Sequence, residues 1–120
     1  ICAPRAAQHA LTWAIPNTSE WRKANTAEIE HRASAFKTAM TKINGWRLDS
    51  IGAYFAYVAH PFSGPSIKRV AERLAEERGV LALPGPYFGP GQETHLRVAF
   101  ANVSAEAIAE LPNRLEGFKP

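Results

Sequence analysis

Apolar positions recur at two different periods along this 120-residue chain, and the change of period predicts where helices and strands lie. In "SIKRVAERLAEERG", apolar residues recur at i, i+3, i+4, i+7 and i+8 from Ile67, which is the pattern of an amphipathic helix. Gly79 follows Arg78 at the position of a helix C-cap. In "ETHLRVAFAN" apolar and other residues alternate instead, which predicts a strand.

Two further helices are predicted in the first third of the chain. The Ala-rich segment "PRAAQHALTWAI" predicts a helix from Pro4 to about residue 15, and "PNTSEW" interrupts the pattern. A long second helix then runs to about residue 43, where Asn44 and Gly45 end it, and Asn17, Thr18 or Ser19 is expected to cap its start. Its apolar stripe comprises Ile29, Phe36, Met40 and Ile43.

The remaining segments predict a small sheet and a last helix. "GAYFAYVAH" predicts a strand from Gly52 to His60, "VLALP" a short strand, and residues 46–49 an additional one. Ser104 is expected to cap the last helix, and Pro112 to kink or interrupt it. The order α, α, β, α, β, β, α indicates an α+β fold in which a small mixed or antiparallel sheet is covered by helices.

Composition restricts the class of protein. The length suits one domain, and the 46% hydrophobic and 21% charged fractions are typical of globular proteins. No apolar run approaches the roughly 20 residues of a membrane span. Lys and Arg are interleaved with Glu, and the net charge is only +3, so we expect neither a nucleic-acid nor a membrane partner. The single Cys2 cannot form an internal disulfide, which suits a cytoplasmic protein.

The first residues suggest that the chain is part of a longer protein. It opens "ICAPRAAQHA" with no initiating Met, and its only methionine is Met40. We therefore expect a preceding region.

Arg97 is the candidate binding residue. Alternation places His95, Arg97 and Ala99 on one face of their strand, opposite an apolar face. A charge at this position is solvated, paired with a structural carboxylate, or directed at an anionic ligand, and Glu93 is a candidate partner of Arg97 when no ligand is bound. The strand alone leaves these three interpretations open.

Other reactive or aromatic residues give weaker signals. The four histidines lack the spacing of metal ligands, and Cys2 has no nearby histidine to activate it, so we predict no metal site and no cysteine nucleophile. His95 is expected to be solvated at the sheet surface. The three tryptophans are interpreted as core or interface anchors: Trp13, Trp21 and Trp46.

The segment "PGPYFGPGQETHLRVAFAN" resembles the C-terminal stretch of class I/II aminotransferases, the fold-type-I enzymes that use pyridoxal phosphate. The matching positions are Pro84, Gly85, Phe88, Gly89, Gly91, Arg97 and Val98. "GAYFAYVAHP", "ERLAEERGVLALPG", "EIEHRASAFKTAMTKINGW" and "APRAAQHAL" also resemble segments of this family, so the similarity covers essentially the whole chain.

The resemblance implies the small C-terminal domain of an aspartate-aminotransferase-like enzyme. Residues 1–43 would then be helical segments that link to a missing large domain, including the long interdomain helix, and residues 44–120 the α+β small domain. The parent would be a cytoplasmic homodimer that uses pyridoxal phosphate to transfer an amino group between an amino acid and a 2-oxo acid.

The resemblance also assigns roles within this chain. Arg97 would bind the α-carboxylate of the substrate, a task that suits its planar, permanently charged guanidinium. Tyr87 and Phe88 are candidate substrate-entrance residues. No lysine stands in the family's Schiff-base motif, so we expect no catalytic residue, no bound cofactor and no activity in this chain alone. The alternative is a stand-alone carboxylate-binding or protein-interaction module without catalysis.

Overall fold

The computed structural model describes residues 3–120, and Cys2 therefore lies outside the described residues. The chain forms two compact units, one that reaches to Glu30 and one that comprises His31–Pro120. The domain boundary predicted between residues 43 and 44 stays a prediction. No helix in residues 3–120 combines the length and the apolar character that crossing a bilayer requires.

The first unit consists of helix α1, Arg5–Asn17, and the start of helix α2, Ser19–Met40. Helix α1 continues through Pro16, two residues past its predicted end. Side chains satisfy the carbonyl groups of its last turn: Asn17 Nδ2 donates to the Trp13 carbonyl at 2.7 Å, and Thr18 Oγ1 donates to the Ala14 carbonyl at 2.8 Å. These bonds replace partners that a helix end lacks.

The second unit contains the sheet. Its elements after α2 are β1 (Arg47–Gly52), β2 (Phe55–Ala59), α3 (Ile67–Arg78), β3 (Leu83–Pro84), a 3-10 turn (Gly85–Phe88), β4 (His95–Ala99), α4 (Ala105–Ala109) and α5 (Leu111–Leu115). The strands form one antiparallel sheet in the order β1-β2-β4-β3. The predicted α+β class with a small sheet and helices is confirmed.

The hydrophobic core lies against one face of this sheet, which we call the core face. Ala56, Val58 and Leu96 project from it and are at most 2% exposed. Helix α3 packs against β3 and β4, and Phe36 of α2 contacts Phe100 with ring centroids 6.0 Å apart. The predicted apolar stripe of α2 is thus buried at Phe36 and further along the helix, while Ile29 is only half-buried.

Two helix ends follow signals that the sequence predicted, Gly79 after α3 and Ser104 before α4. Ser66 Oγ accepts the Arg69 backbone N–H at the start of α3, and Gly79 ends that helix in the left-handed conformation with φ of 62°. Ser104 caps α4 in the same way as Ser66 caps α3. The last helix is interrupted at Glu110, because Pro112 is accommodated only in the first turn of the new helix α5.

The strand predicted from Gly52 to His60 is shorter than expected. Residues 47–52 and 55–59 form a hairpin, so Gly52 ends β1 and β2 begins only at Phe55. Ala53 turns the chain with φ of 48°, a conformation that glycine or asparagine usually supplies. Gly52 ends β1 instead of occupying this turn position, and the apolar pattern of the segment continues through the turn.

Candidate functional site

Arg97 lies on the face of the sheet opposite the core, which we call the site face. Its strand β4 is flanked by β2 and β3, and Arg97 pairs with Tyr57 on one side and Leu83 on the other. Side chains alternate across a strand, so the burial of Leu96 on the core face directs Arg97 to the site face. Two neighbouring strands therefore hold the backbone that carries Arg97.

Two aromatic rings contact the Arg97 guanidinium. Its Cζ atom lies 3.7 Å from the ring centroid of Phe88 and 4.3 Å from that of Phe55. In the part of the chain that the structure describes, no carboxylate forms an ion pair with Arg97. The interpretation in which Glu93 pairs with it does not match this arrangement, because the aromatic rings are its neighbours instead. Cation–π contacts leave the N–H groups at the guanidinium edge available for an anion.

A groove of about 320 Å³ adjoins Arg97. The residues that line it are Phe55, Gly79, Leu81, Ala82, Leu83, Arg97, Ala99, Asn102 and Val103. Arg97 is the one charged side chain in this lining, and the rest is apolar apart from Asn102. An anion that enters the groove would meet a cation in surroundings of low polarity, where charge-assisted hydrogen bonds are strong.

His95 is held on the site face instead of being solvated, which corrects our expectation. Its Nε2 donates to Asp49 Oδ2 at 2.8 Å, and its ring stacks on Tyr57 with centroids 5.3 Å apart. Asp49 reaches it because the β1–β2 register shifts between Leu48 and Ser50. Hydrogen bonds from Arg47 and then from His95 hold the pKa of the Asp49 carboxyl well below its usual range.

The turn that carries Phe88 depends on Gly85. A Cβ atom at this position would lie 2.5 Å from the Gln92 carbonyl oxygen and 2.9 Å from the His95 carbonyl oxygen. Both are backbone atoms that cannot move aside without moving the strand. Tyr57 donates a long hydrogen bond of 3.4 Å from its hydroxyl to the Gly85 carbonyl. Only glycine lets the turn pass this close to β4.

The predicted site residues differ in their surroundings. Phe88 contacts Arg97, whereas the neighbouring Tyr87 is 66% exposed and makes no ring contact within residues 3–120. Sequence reasoning missed Phe55 as a neighbour of Arg97. The pairing of Phe55 with Ala99 places it diagonally across from Arg97, and this register was not visible in the sequence.

The three tryptophans also differ in how far they are exposed. Trp46 is half-buried and contacts the edge of Phe62, with ring centroids 5.7 Å apart. Trp13 and Trp21 are 68% and 67% exposed, so neither is a core residue of its unit. Within residues 3–120, no three His, Cys, Asp or Glu side chains form a group that could hold a metal ion.

The sequence matches the family described as aminotransferase class I and II over residues 1–115, and the chain belongs to this family. It is 28% identical over 118 residues to the Bacillus subtilis (strain 168) protein YugH, provisionally described as an aminotransferase. That match covers 98% of this chain and 30% of the relative, so the chain spans about a third of the relative's length.

Solved structures show the same fold. MJ0684 from Methanococcus jannaschii superposes with a TM-score of 0.72 at 28% identity, over 97% of this chain and 31% of that protein. LysN, an α-aminoadipate aminotransferase from Thermus thermophilus, gives a TM-score of 0.67 at 26% identity, over 91% and 28%. A PLP-dependent aminotransferase from Streptococcus suis 89-1591 gives 0.72 at 17% identity, over 99% and 32%.

Among the described residues, the groove at Arg97 is lined by one cation and by no carboxylate, and this lining can be compared with the needs of the family's cofactor. No lysine lies among the residues that line the groove at Arg97, so the groove offers no amine to a pyridoxal carbonyl. Its one cation already contacts two aromatic rings. These residues fit a small carboxylate. They do not form a site for pyridoxal phosphate, which needs a lysine and several groups that bind its phosphate.

Proposed function

We propose that this chain is the C-terminal small domain of a pyridoxal-phosphate-dependent aminotransferase and that Arg97 binds the substrate α-carboxylate. The full-length enzyme transfers an amino group between an amino acid and a 2-oxo acid. Bound pyridoxal phosphate, held by residues outside this chain, carries the amino group between the two substrates. The role of this chain is to bind each substrate by its carboxylate and to keep the substrate in one orientation.

The surroundings of Arg97 carry this proposal. A guanidinium without an ion pair among the described residues stands on a paired strand at the edge of an apolar groove. A solvated surface arginine would not need two aromatic neighbours, and a structural ion pair would need a carboxylate. An α-carboxylate offers two oxygens in one plane, which match the parallel N–H groups at the edge of the guanidinium.

The exposed apolar residues around Arg97 support a role within a larger protein. Phe55, Leu83 and Phe88 are each 40% exposed or more, so the described groove is walled on one side only. A stand-alone carboxylate-binding module would be expected to close its own pocket. The LysN structure is a complex with a phosphopyridoxyl-leucine, which fits an amino-acid substrate in a relative that is 26% identical.

Replacement of Arg97 by lysine in the full-length enzyme tests this role. Lysine keeps the charge but loses the planar fork, so we expect kcat/KM to fall about a hundredfold for every amino-acid substrate, equivalent to about 2.7 kcal/mol. Amino-group transfer from a primary amine that lacks the carboxylate should not change. The visible absorbance of the bound cofactor should also stay as in the unmodified enzyme.

The exposed Arg69 on α3 provides a matched control. The Arg69→Lys variant makes the same chemical change away from the groove and should keep kcat/KM. If Arg97→Lys lowers the melting temperature by several degrees and leaves kcat/KM unchanged, Arg97 is a structural residue. The stand-alone module then becomes the better interpretation.

We also propose that the enzyme is a cytoplasmic homodimer and that the isolated chain is inactive and binds no pyridoxal phosphate. The exposed apolar residues of the first unit support association: Leu11 is 49%, Trp13 68%, Ile15 58% and Trp21 67% exposed. Sedimentation of the full-length protein tests the dimer. A borohydride-trapped cofactor adduct on one specific lysine of the isolated chain would contradict the proposal on binding.

A further inference from the structure

Two aromatic rings flank the Arg97 guanidinium. The centroids of Phe88 and Phe55 lie 3.7 Å and 4.3 Å from Cζ. Phe55 belongs to β2 and Phe88 to the turn that follows β3, so the two rings come from elements on opposite sides of β4. The pair Phe55 and Phe88 is called the aromatic clamp below. The N–H groups that bind an anion lie along the edge of the guanidinium plane.

The two halves of the clamp come from elements that are held in different ways. Phe55 is the first residue of β2 and pairs with Ala99 of β4, so the sheet sets its position relative to Arg97. Phe88 ends the 3-10 turn, whose start is packed against β4 at Gly85. The clamp therefore assembles only when the sheet and the turn are both in place.

The exposure of both rings argues against a purely structural role. Phe55 is 40% and Phe88 is 44% exposed, so neither ring is buried as a core residue would be. What each ring does contact is the one cation of the groove.

We propose that Phe55 and Phe88 are positioning residues that hold the Arg97 guanidinium in one plane, so that a substrate carboxylate binds edge-on through two oxygens. This inference rests on the proposed function and adds the mode of carboxylate recognition. Restricting the guanidinium in advance lowers the entropic cost of fixing the substrate. The clamp acts through Arg97, and neither ring takes part in the chemistry.

The full-length enzyme with Phe88→Leu or Phe55→Leu tests the clamp, since leucine keeps apolar bulk but has no aromatic face. We expect each variant to raise the amino-acid KM about five- to tenfold. The inhibition constant of propionate, a simple monocarboxylate, should rise by the same factor. Transfer from a primary amine without a carboxylate should not change, and Phe88→Tyr should restore the unmodified KM.

Tyr54 supplies the matched control, because it precedes Phe55 directly and is 53% exposed. Tyr54→Leu should leave the KM and the propionate constant unchanged. In an Arg97→Lys background, Phe88→Leu should have no further effect on KM, because the group that it positions is already lost.

The outcomes separate the two proposals. If Arg97→Lys lowers kcat/KM about a hundredfold but both ring variants behave like Tyr54→Leu, the proposed clamp is wrong and the proposed function of Arg97 stands. If Arg97→Lys has no effect on amino acids, the proposed function fails whatever the ring variants do. A ring variant that slows the amine as much as the amino acid also overturns the clamp, because its effect is then general.

Discussion

The two faces of the sheet are built from alternate residues of the same strands, and they do different work. On the core face, Leu96 is 1% exposed and packs with Val58 and other apolar side chains. One residue further along β4, Arg97 faces the groove with two half-exposed aromatic rings. Because successive side chains of a strand point to opposite faces, residues that stabilise the fold alternate with residues that face the groove.

The largest expected effect is a loss of stability when a side chain of the core face is truncated. Leu96→Ala should lower the free energy of unfolding by about 2–5 kcal/mol, because it leaves a cavity under the sheet. Arg97→Ala should lower the free energy of unfolding by less than about 1 kcal/mol, because the half-buried side chain loses only its contacts with two partly exposed rings. Urea unfolding of both variants measures the difference, and equal losses would mean that the two faces are not divided in this way.

A smaller loss of stability is expected from a substitution in the 3-10 turn that packs against β4. Gly85→Ala should destabilise the protein by about 1–3 kcal/mol, since the new methyl group overlaps backbone atoms of β4. It should also raise the amino-acid KM, because the turn carries Phe88. Gly52→Ala is the control: a Cβ atom there meets nothing within 4 Å. A stable Gly85→Ala variant with normal KM would show that the turn position is unimportant.

The smallest expected effect is a dependence of stability on pH that arises from His60, a buried polar residue that is 8% exposed. Its Nδ1 accepts the Phe62 backbone N–H, so Nε2 carries the proton of the neutral ring and has no partner within residues 3–120. Burial lowers the pKa of His60 from the ordinary value of 6.5. The unfolded chain then binds the proton more readily, and stability is lost as pH falls below about 6.5.

Thermal unfolding between pH 8 and pH 5 measures this loss. The His60→Phe variant should show a flatter dependence on pH than the unmodified protein, while the exposed His9→Gln variant should follow the unmodified protein. A steeper loss in His60→Phe than in the unmodified chain would contradict the assignment.

Much of the fold was readable from the sequence because local rules determine it. The amphipathic period of α3, its Gly79 end, the break before Pro112 and the alternation of β4 all depend on residues close in the chain. The candidate role of Arg97 came from the same stretch through its resemblance to the aminotransferase family, and the match over residues 1–115 confirms the family.

The surroundings of Arg97 depend instead on contacts between distant segments. Its neighbours Phe55 and Phe88 lie 42 and 9 positions away in the sequence, and only the pairing of β2 with β4 and the turn at Gly85 bring them to one guanidinium. The Asp49–His95 bond likewise needs an irregular register in β1, which no local pattern encodes. Sequence alone determined where most helices and strands lie, because those preferences are local, although it did not predict the turn at Ala53. Tertiary structure decided what each strand residue meets, because strand register is set by the packing of the whole sheet.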